Sequence, residues 1–309
     1  MTRISGPGTF NMTAEEYHAD PAPAPSLSST IARTLLSEAP LHAWFKHPRL
    51  NPDYVPEIKD SFEIGRAAHA YLTGQGEDGI HVLSHDNYRT KAAQQERDDA
   101  RDDGFTVLLD HQYAELTDMI AAARFQLERH QIGDVFETGK SEQAHFAQID
   151  GVWCRAMTDC IAPSEIVYDY KTTASSAQHD AAVRTISQHG YDVQAAHYLD
   201  VLAALDGKPR RFRFIFQEKS APYALSVIEI GETWLTDARQ DAKQAREHFR
   251  RCLDAFGPSP WPGYAAEIVV VDEPPWRARA REDRQTINAD LKADTGRDLL
   301  DRAMKWQAP

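Results

Sequence analysis

The 309-residue sequence carries only three cysteines, Cys154, Cys160 and Cys252, with no C-x-x-C pair and no histidine-rich partner segment. Neither a disulfide framework nor a zinc finger is expected, and a reducing compartment suits the chain. Basic residues are also short: 34 Lys and Arg stand against 47 Asp and Glu, a formal net charge of -13. That balance disfavours sequence-independent coating of nucleic acid and adsorption to anionic membranes, so any DNA contact must be local. No run approaches the roughly 18 consecutive apolar residues of a spanning helix, and the start, MTRISGPGTF, lacks a basic-then-apolar signal. A soluble cytoplasmic protein with no membrane partner is the expectation. Internal repeats are lacking too.

What is present suffices for a core, since 42% of the residues are hydrophobic. The prolines of ADPAPAPSLSS form an extended lead-in, after which Ser28 or Ser29 can cap TIARTLLSEA and Pro40 can start LHAWFKH. In SFEIGRAAHAYL, Ile64, Ala68, Tyr71 and Leu72 fall on one helical stripe. A polar, charge-mixed stretch follows over 86–103, then a long helix over 110–130. The period then changes. AHFAQID, GVWCRAMTDCI and EIVYDYKTT are short β-rich runs separated by Asp150-Gly151 and Ala162-Pro163-Ser164, which predicts three consecutive antiparallel strands. Helices are predicted over about 177–189, 191–205 and 233–256, with the strands RFRFIFQE and YALSVIEIG between the last two. The fold class is therefore mixed α/β, with residues 1–275 as one domain having a helical N-terminal part. Residues 276–309 form a helical or flexible tail, in which Arg277, Arg279, Arg281 and Arg284 lie on a solvated face among acidic neighbours.

The chemistry concentrates in the central strands. With the second turn centred on Ser164, Asp159 and Asp169 lie five residues to either side and face one another across an antiparallel pair. Opposed carboxylates repel, so a cation is needed between them, and rigid oxygen ligands suit Mg²⁺ or Mn²⁺. Lys171 is two residues beyond Asp169, on the same sheet face. An ordinary surface ion pair is the plain alternative. The apolar neighbours Ile166, Val167, Tyr168 and Tyr170 oppose it, because ionised groups in a buried strand require a reason. Cys154 and Cys160 share a parity that Asp159 does not, which points both to the opposite, core-facing side. His179, His189 and His197 lack regular metal-ligand spacing and read as solvated or capping residues.

Thr158-Asp159 followed by Asp169-Tyr170-Lys171 resembles the PD-(D/E)xK nuclease signature, with Thr158 where that family often has proline. Gly-Arg-Ala-Ala-His over 65–69 and Gln-Ala-Ala-His-Tyr over 194–198 resemble the GxxxH and QxxxY elements of its RecB-like branch. With the lead-in helix, GYDVQAAHYLDVL and the late WPGY, the match extends over most of residues 10–275 and is most similar to RecE-type exonucleases, exodeoxyribonuclease VIII and its phage relatives. The resemblance implies a restriction-endonuclease-like core: a central mixed sheet with a three-strand antiparallel meander, flanked by helices. It implies that His69, Asp159, Asp169 and the carbonyl of Tyr170 hold Mg²⁺ or Mn²⁺, and it gives Glu142, Asp159, Asp169 and Lys171 catalytic roles. Gln194 and Tyr198, one helical turn apart, could contact a phosphate or orient Lys171; Tyr198 equally suits the core. Gly65, costing about 1 kcal/mol against Ala in a helix, could clear space one turn before His69.

An Mg²⁺-dependent exodeoxyribonuclease acting on the ends of linear duplex DNA is thus implied, in phage or prophage recombination, with 5′-to-3′ polarity by resemblance alone. An endonuclease or a Cas4-like end-trimming enzyme would use the same ligands, and a catalytically silent end-binding subunit is the non-enzymatic alternative. No iron-sulfur cluster is expected, since four cysteine ligands are lacking. The acidic balance, together with the rings formed by RecE-type relatives, leads to a trimeric or tetrameric homo-oligomer that encloses DNA, with a single-strand annealing protein as a further partner.

Overall fold

The structure, a computed structural model, describes residues 3–56, 63–73, 79–296 and 298. The first elements are β1 (Gly8–Asn11), α1 (Ala14–His18), α2 (Ser29–Ser37), α3 (Pro40–Phe45) and α4 (Glu63–Leu72). Local chemistry sets their starts. Ser28 Oγ accepts the Ile31 N–H ahead of α2, and Pro40 occupies the first turn of α3, where its missing donor costs nothing. Next come β2 (Ile80–Leu83), α5 (Lys91–Asp102), β3 (Thr106–Leu109), α6 (Asp110–Arg129) and α7 (Val135–Thr138). The centre consists of β4 (Lys140–Ile149), β5 (Val152–Ile161), β6 (Ile166–Thr173), α8 (His179–His189), α9 (Tyr191–Asp206), β7 (Arg211–Glu218), β8 (Leu225–Glu229) and α10 (Glu232–Phe256).

Six strands form the main sheet in the order β1-β4-β5-β6-β7-β8, in which β6 and β7 pair in parallel and every other neighbour is antiparallel. The predicted meander is β4-β5-β6. Its first turn is Asp150-Gly151, with φ of +52° and +79°, the backbone twist that a two-residue hairpin requires. The parallel step from β6 to β7 needs a crossover, which α8 and α9 supply.

The central strands are buried on both faces. Val167, Phe212, Phe214 and Phe216 pack with Ile31, Leu199 and Phe249 under α2, α9 and α10. Ile166, Tyr168, Tyr170 and Ile215 pack on the other side with Ala68, Leu116 and Met119 of α4 and α6. Burying each large side chain stabilises the sheet by about 1.5–3 kcal/mol.

Three features differ from expectation. Cys154 and Cys160 are both buried, but in opposite layers: Cys154 lies with α2 and α9, whereas Cys160 lies with α6 and its thiol donates to Val135 O at 3.2 Å. The alternation of β5 breaks beside Glu142, which takes φ +52° between the ladder pairs Ser141–Cys160 and Gln143–Thr158. His197 is not solvated; it is fully buried and its Nε2 lies 3.0 Å from Arg155 O. The short strands β1, β2 and β3 are additions to the predicted set.

The chain divides into two compact units at Gly263–Tyr264. In the second, Ile268 to Val271 are exposed, and α11 (Pro275–Thr295) carries Arg277 and Arg281 in ion pairs with Glu273, the solvated arrangement expected of the tail. Among the described residues no helix is long and apolar enough to cross a membrane.

Candidate active site

Five elements converge where β5 and β6 part. Their ladder contains Ile161–Val167 and Cys160–Tyr168, and one further step in that register sets Asp159 opposite Asp169. There β6 pairs with β7 along its whole length, while the Tyr170 N–H donates to Asp159 Oδ2 at 2.7 Å rather than to a strand carbonyl. A carboxylate thus satisfies the backbone donor that the parting strands would otherwise orphan.

Helix α4 brings His69 over this fork. His69 Nε2 lies 2.9 Å from Asp159 Oδ2, and Nδ1 lies 3.2 Å from Glu142 Oε1. The approach depends on Gly65: a Cβ added there would stand 2.9 Å from Thr172 Oγ1 on β6. Glu142 reaches the same point from a left-handed conformation, which is uncommon for a residue with a side chain. On β6, Asp169 Oδ2 lies 2.6 Å from Lys171 Nζ, and Asp169 Oδ1 accepts the Gln194 amide at 2.6 Å.

The packing of charges shifts their protonation. Burial lowers the pKa of His69, but Asp159, Glu142 and Asp169 outweigh it and push the value up to about 9. Burial, reinforced by the neighbouring carboxylates, raises Glu142 to about 7. Asp169 is raised to about 6, again chiefly by burial, with Lys171 opposing and Asp159 assisting. Asp159 is held low despite its burial because His69, Lys171 and the Tyr170 N–H all stabilise its anion. Lys171 is desolvated, yet the two aspartates keep its ammonium favoured.

These residues fit a divalent cation. Ligand atoms of His69, Glu142 and Asp159 lie within 4.8 Å of one another. Glu142 Oε1 and Asp169 Oδ2 are buried carboxylate oxygens that face the His69 imidazole at 3.2 Å and the Lys171 ammonium at 2.6 Å. Carboxylate oxygens joined by one imidazole are suitable ligands for Mg²⁺ or Mn²⁺, and a cation would relieve the repulsion between the carboxylates.

Of the residues singled out in the sequence, His69, Glu142 and Asp159 form one group and Asp169, Lys171 and Gln194 a second, with the Tyr170 backbone between them. Gln194 contacts Asp169 rather than Lys171. Tyr198 is buried one turn further along α9, edge-on to Phe212 with centroids 6.3 Å apart, and shares a hydrogen bond with Ser29. Thr158, in the place of the signature's proline, ties β5 to β4 through His145 Nε2 at 3.0 Å. His179 and His189 are exposed. Sequence reasoning missed Tyr191, whose ring borders Lys171, and Arg33, which lies against that ring; an aromatic residue at the start of α9 was the available signal.

No curated protein sequence matches the chain. A protein from Eubacterium rectale assigned as an exonuclease is similar in fold, with a TM-score of 0.56 at 15% identity over 86% of this chain and 96% of that one. A phage-related exonuclease from Haemophilus somnus 129PT aligns over 74% of this chain and 95% of its own at 10% identity, with a TM-score of 0.31. The family described as PDDEXK-like domains of unknown function, DUF3799, matches residues 29–273. That span runs from the start of α2 past the end of α10 and takes in the whole fork of carboxylates, histidine and lysine, so the chain belongs to the DUF3799 family of PDDEXK-like nuclease folds.

Proposed function

We propose that the protein is a divalent-metal-dependent exodeoxyribonuclease that hydrolyses phosphodiester bonds from the ends of linear duplex DNA. The observation that carries this reading is the convergence of His69, Glu142 and Asp159 beside the Asp169–Lys171 pair at the β5–β6 fork. His69, Glu142, Asp159 and Asp169 would hold the ion, Mg²⁺ or Mn²⁺. When bound, a divalent cation supplies Lewis-acid polarisation of a phosphoryl oxygen. Lys171 acts as a fixed ammonium that orients the attacking water and offsets charge on the phosphoryl oxygens, a role suited to its favoured protonated state. Gln194 positions Asp169 through the amide hydrogen bond.

End-directed action is supported by the acidic chain. A net charge of -13 gives little long-range attraction to DNA, so sustained digestion requires the duplex to be enclosed by a ring of subunits, a trimer or tetramer in the RecE-like manner. The deciding experiment digests end-labelled linear duplex and closed circular DNA side by side, with Mg²⁺ and with chelator. Loss of the linear substrate alone, stopped by chelator, is expected. Cutting of circles would establish an endonuclease instead, and inertness with both Mg²⁺ and Mn²⁺ would leave an end-binding subunit. Light scattering tests the ring: a monomer arrested at once by competitor DNA would reject enclosure while sparing the metal site.

A further inference from the structure

We propose that Tyr191 is a positioning residue that holds the Lys171 ammonium in place through its ring face. The inference rests on the role given to Lys171 above, but its geometry stands by itself. Lys171 Nζ lies 5.0 Å from the Tyr191 ring centroid and 2.6 Å from Asp169 Oδ2. The carboxylate takes one of the three ammonium donors, and the aromatic face attracts the cation without accepting a proton from it. A second carboxylate in that place would neutralise the charge, and an apolar side chain would leave the four-carbon stem free to turn. An aromatic face fixes the head group while keeping its remaining donors available to a phosphoryl oxygen.

The ring itself is held firmly. It packs on Phe214 and Phe216, with centroids 5.9 and 6.5 Å away, and Phe216 is the direct β7 partner of Lys171. His189 stacks on it at 5.4 Å with an interplanar angle of 26°. The Arg33 guanidinium carbon lies 5.6 Å from the same centroid. Arg33 is fixed by donating from Nη1 to His189 O at 2.7 Å, from Nη2 to Thr30 Oγ1 and from Nε to Ser29 O. Gly190 makes room for it: the residue adopts φ +62°, and an added Cβ would lie 3.0 Å from Arg33 Cδ. Helix α2, the α8–α9 junction and β6 are thereby joined through one aromatic ring.

The test compares wild type with Tyr191→Phe and Tyr191→Leu by two readouts. In the metal-free protein, NMR of ¹³C-labelled lysine should show the Lys171 ε-methylene protons displaced upfield by the ring current in wild type and Tyr191→Phe, and near the ordinary lysine position in Tyr191→Leu. In steady-state digestion of linear duplex, Tyr191→Leu should lose about tenfold in kcat, the size expected for a desolvated cation–π contact, with KM and calorimetric Mn²⁺ affinity little changed. Tyr191→Phe should recover most of kcat. An unshifted Lys171 methylene in wild type, full kcat in Tyr191→Leu, or Tyr191→Phe as slow as Tyr191→Leu would each overturn the proposal. If wild type hydrolyses no DNA, the nuclease reading fails while the ring-current comparison still decides the role of Tyr191. If Tyr191→Leu does not fold, wild type and Tyr191→Phe decide it.

Discussion

The side-chain amide of Gln194 donates to Asp169 Oδ1 at 2.6 Å, which fixes the orientation of a buried carboxylate from the neighbouring helix. Replacing Gln194 with Leu leaves that oxygen without a donor and should destabilise the metal-free protein by about 1–3 kcal/mol, the cost of an unsatisfied buried acceptor. Urea unfolding in chelator at pH 8, above the value of about 6 to which Asp169 is raised, provides the measurement. Unchanged stability would show that Asp169 is oriented without Gln194.

Asp169→Ala and Lys171→Ala should both abolish hydrolysis for different reasons. Asp169 would contribute an oxygen to the cation, whereas Lys171 acts on the phosphoryl group. Calorimetric Mn²⁺ binding should therefore weaken markedly in Asp169→Ala and remain close to wild type in Lys171→Ala. Equal loss in the two variants would refute this division of labour.

Gly65→Ala sets two effects against each other. Helix propensity favours Ala by about 1 kcal/mol, but the new Cβ meets Thr172 Oγ1 at 2.9 Å. We expect α4 to move away from β6, carrying His69 off the carboxylates, with Mn²⁺ affinity falling several-fold. Adding Thr172→Ala should restore it. A Gly65→Ala protein that is more stable and binds Mn²⁺ normally would show that this contact does not place His69.

Local chemistry made much of this fold legible in the sequence. Ser28 and Pro40 mark helix starts, Asp150-Gly151 marks the hairpin, and the period of two sets Asp169 and Lys171 on one face, as they are found. What was not legible depends on partners remote in the chain. Strand β1 has four residues and exists through pairing with β4, Gly8 opposite Phe146, so no local pattern announces it. The β2–β3 parallel pair is likewise separated by α5. The left-handed Glu142 has no signal of its own, since nothing in its residue type requires φ +52°, and the broken alternation that separates Cys154 from Cys160 was hidden with it. His197 has the same residue type as the exposed His179 and His189; only the packing of α9 against β5 makes it a core residue.

The protonation of His69 links metal binding to pH. Taken alone, the imidazole would compete with the cation only below its ordinary pKa of about 6.5. In the metal-free site the surrounding carboxylates raise it to about 9, and Glu142 is raised to about 7. The stabilising contacts of protonated His69 are fully present below about 6.5 and are lost as pH rises through about 9, so protons oppose the cation across that window. Mg²⁺ affinity should therefore climb steadily between pH 6.5 and 9, and about one proton should leave His69 for each ion bound at pH 7.5. Calorimetry in two buffers of different ionisation enthalpy counts those protons directly. The gain in unfolding temperature on adding Mg²⁺ should grow over the same range, because an ion that binds only the folded state stabilises it in proportion to the logarithm of its affinity. An affinity that is flat above pH 6.5 with no proton release would mean that His69 is already neutral among its carboxylates, and the charge balance assigned to the site would be wrong.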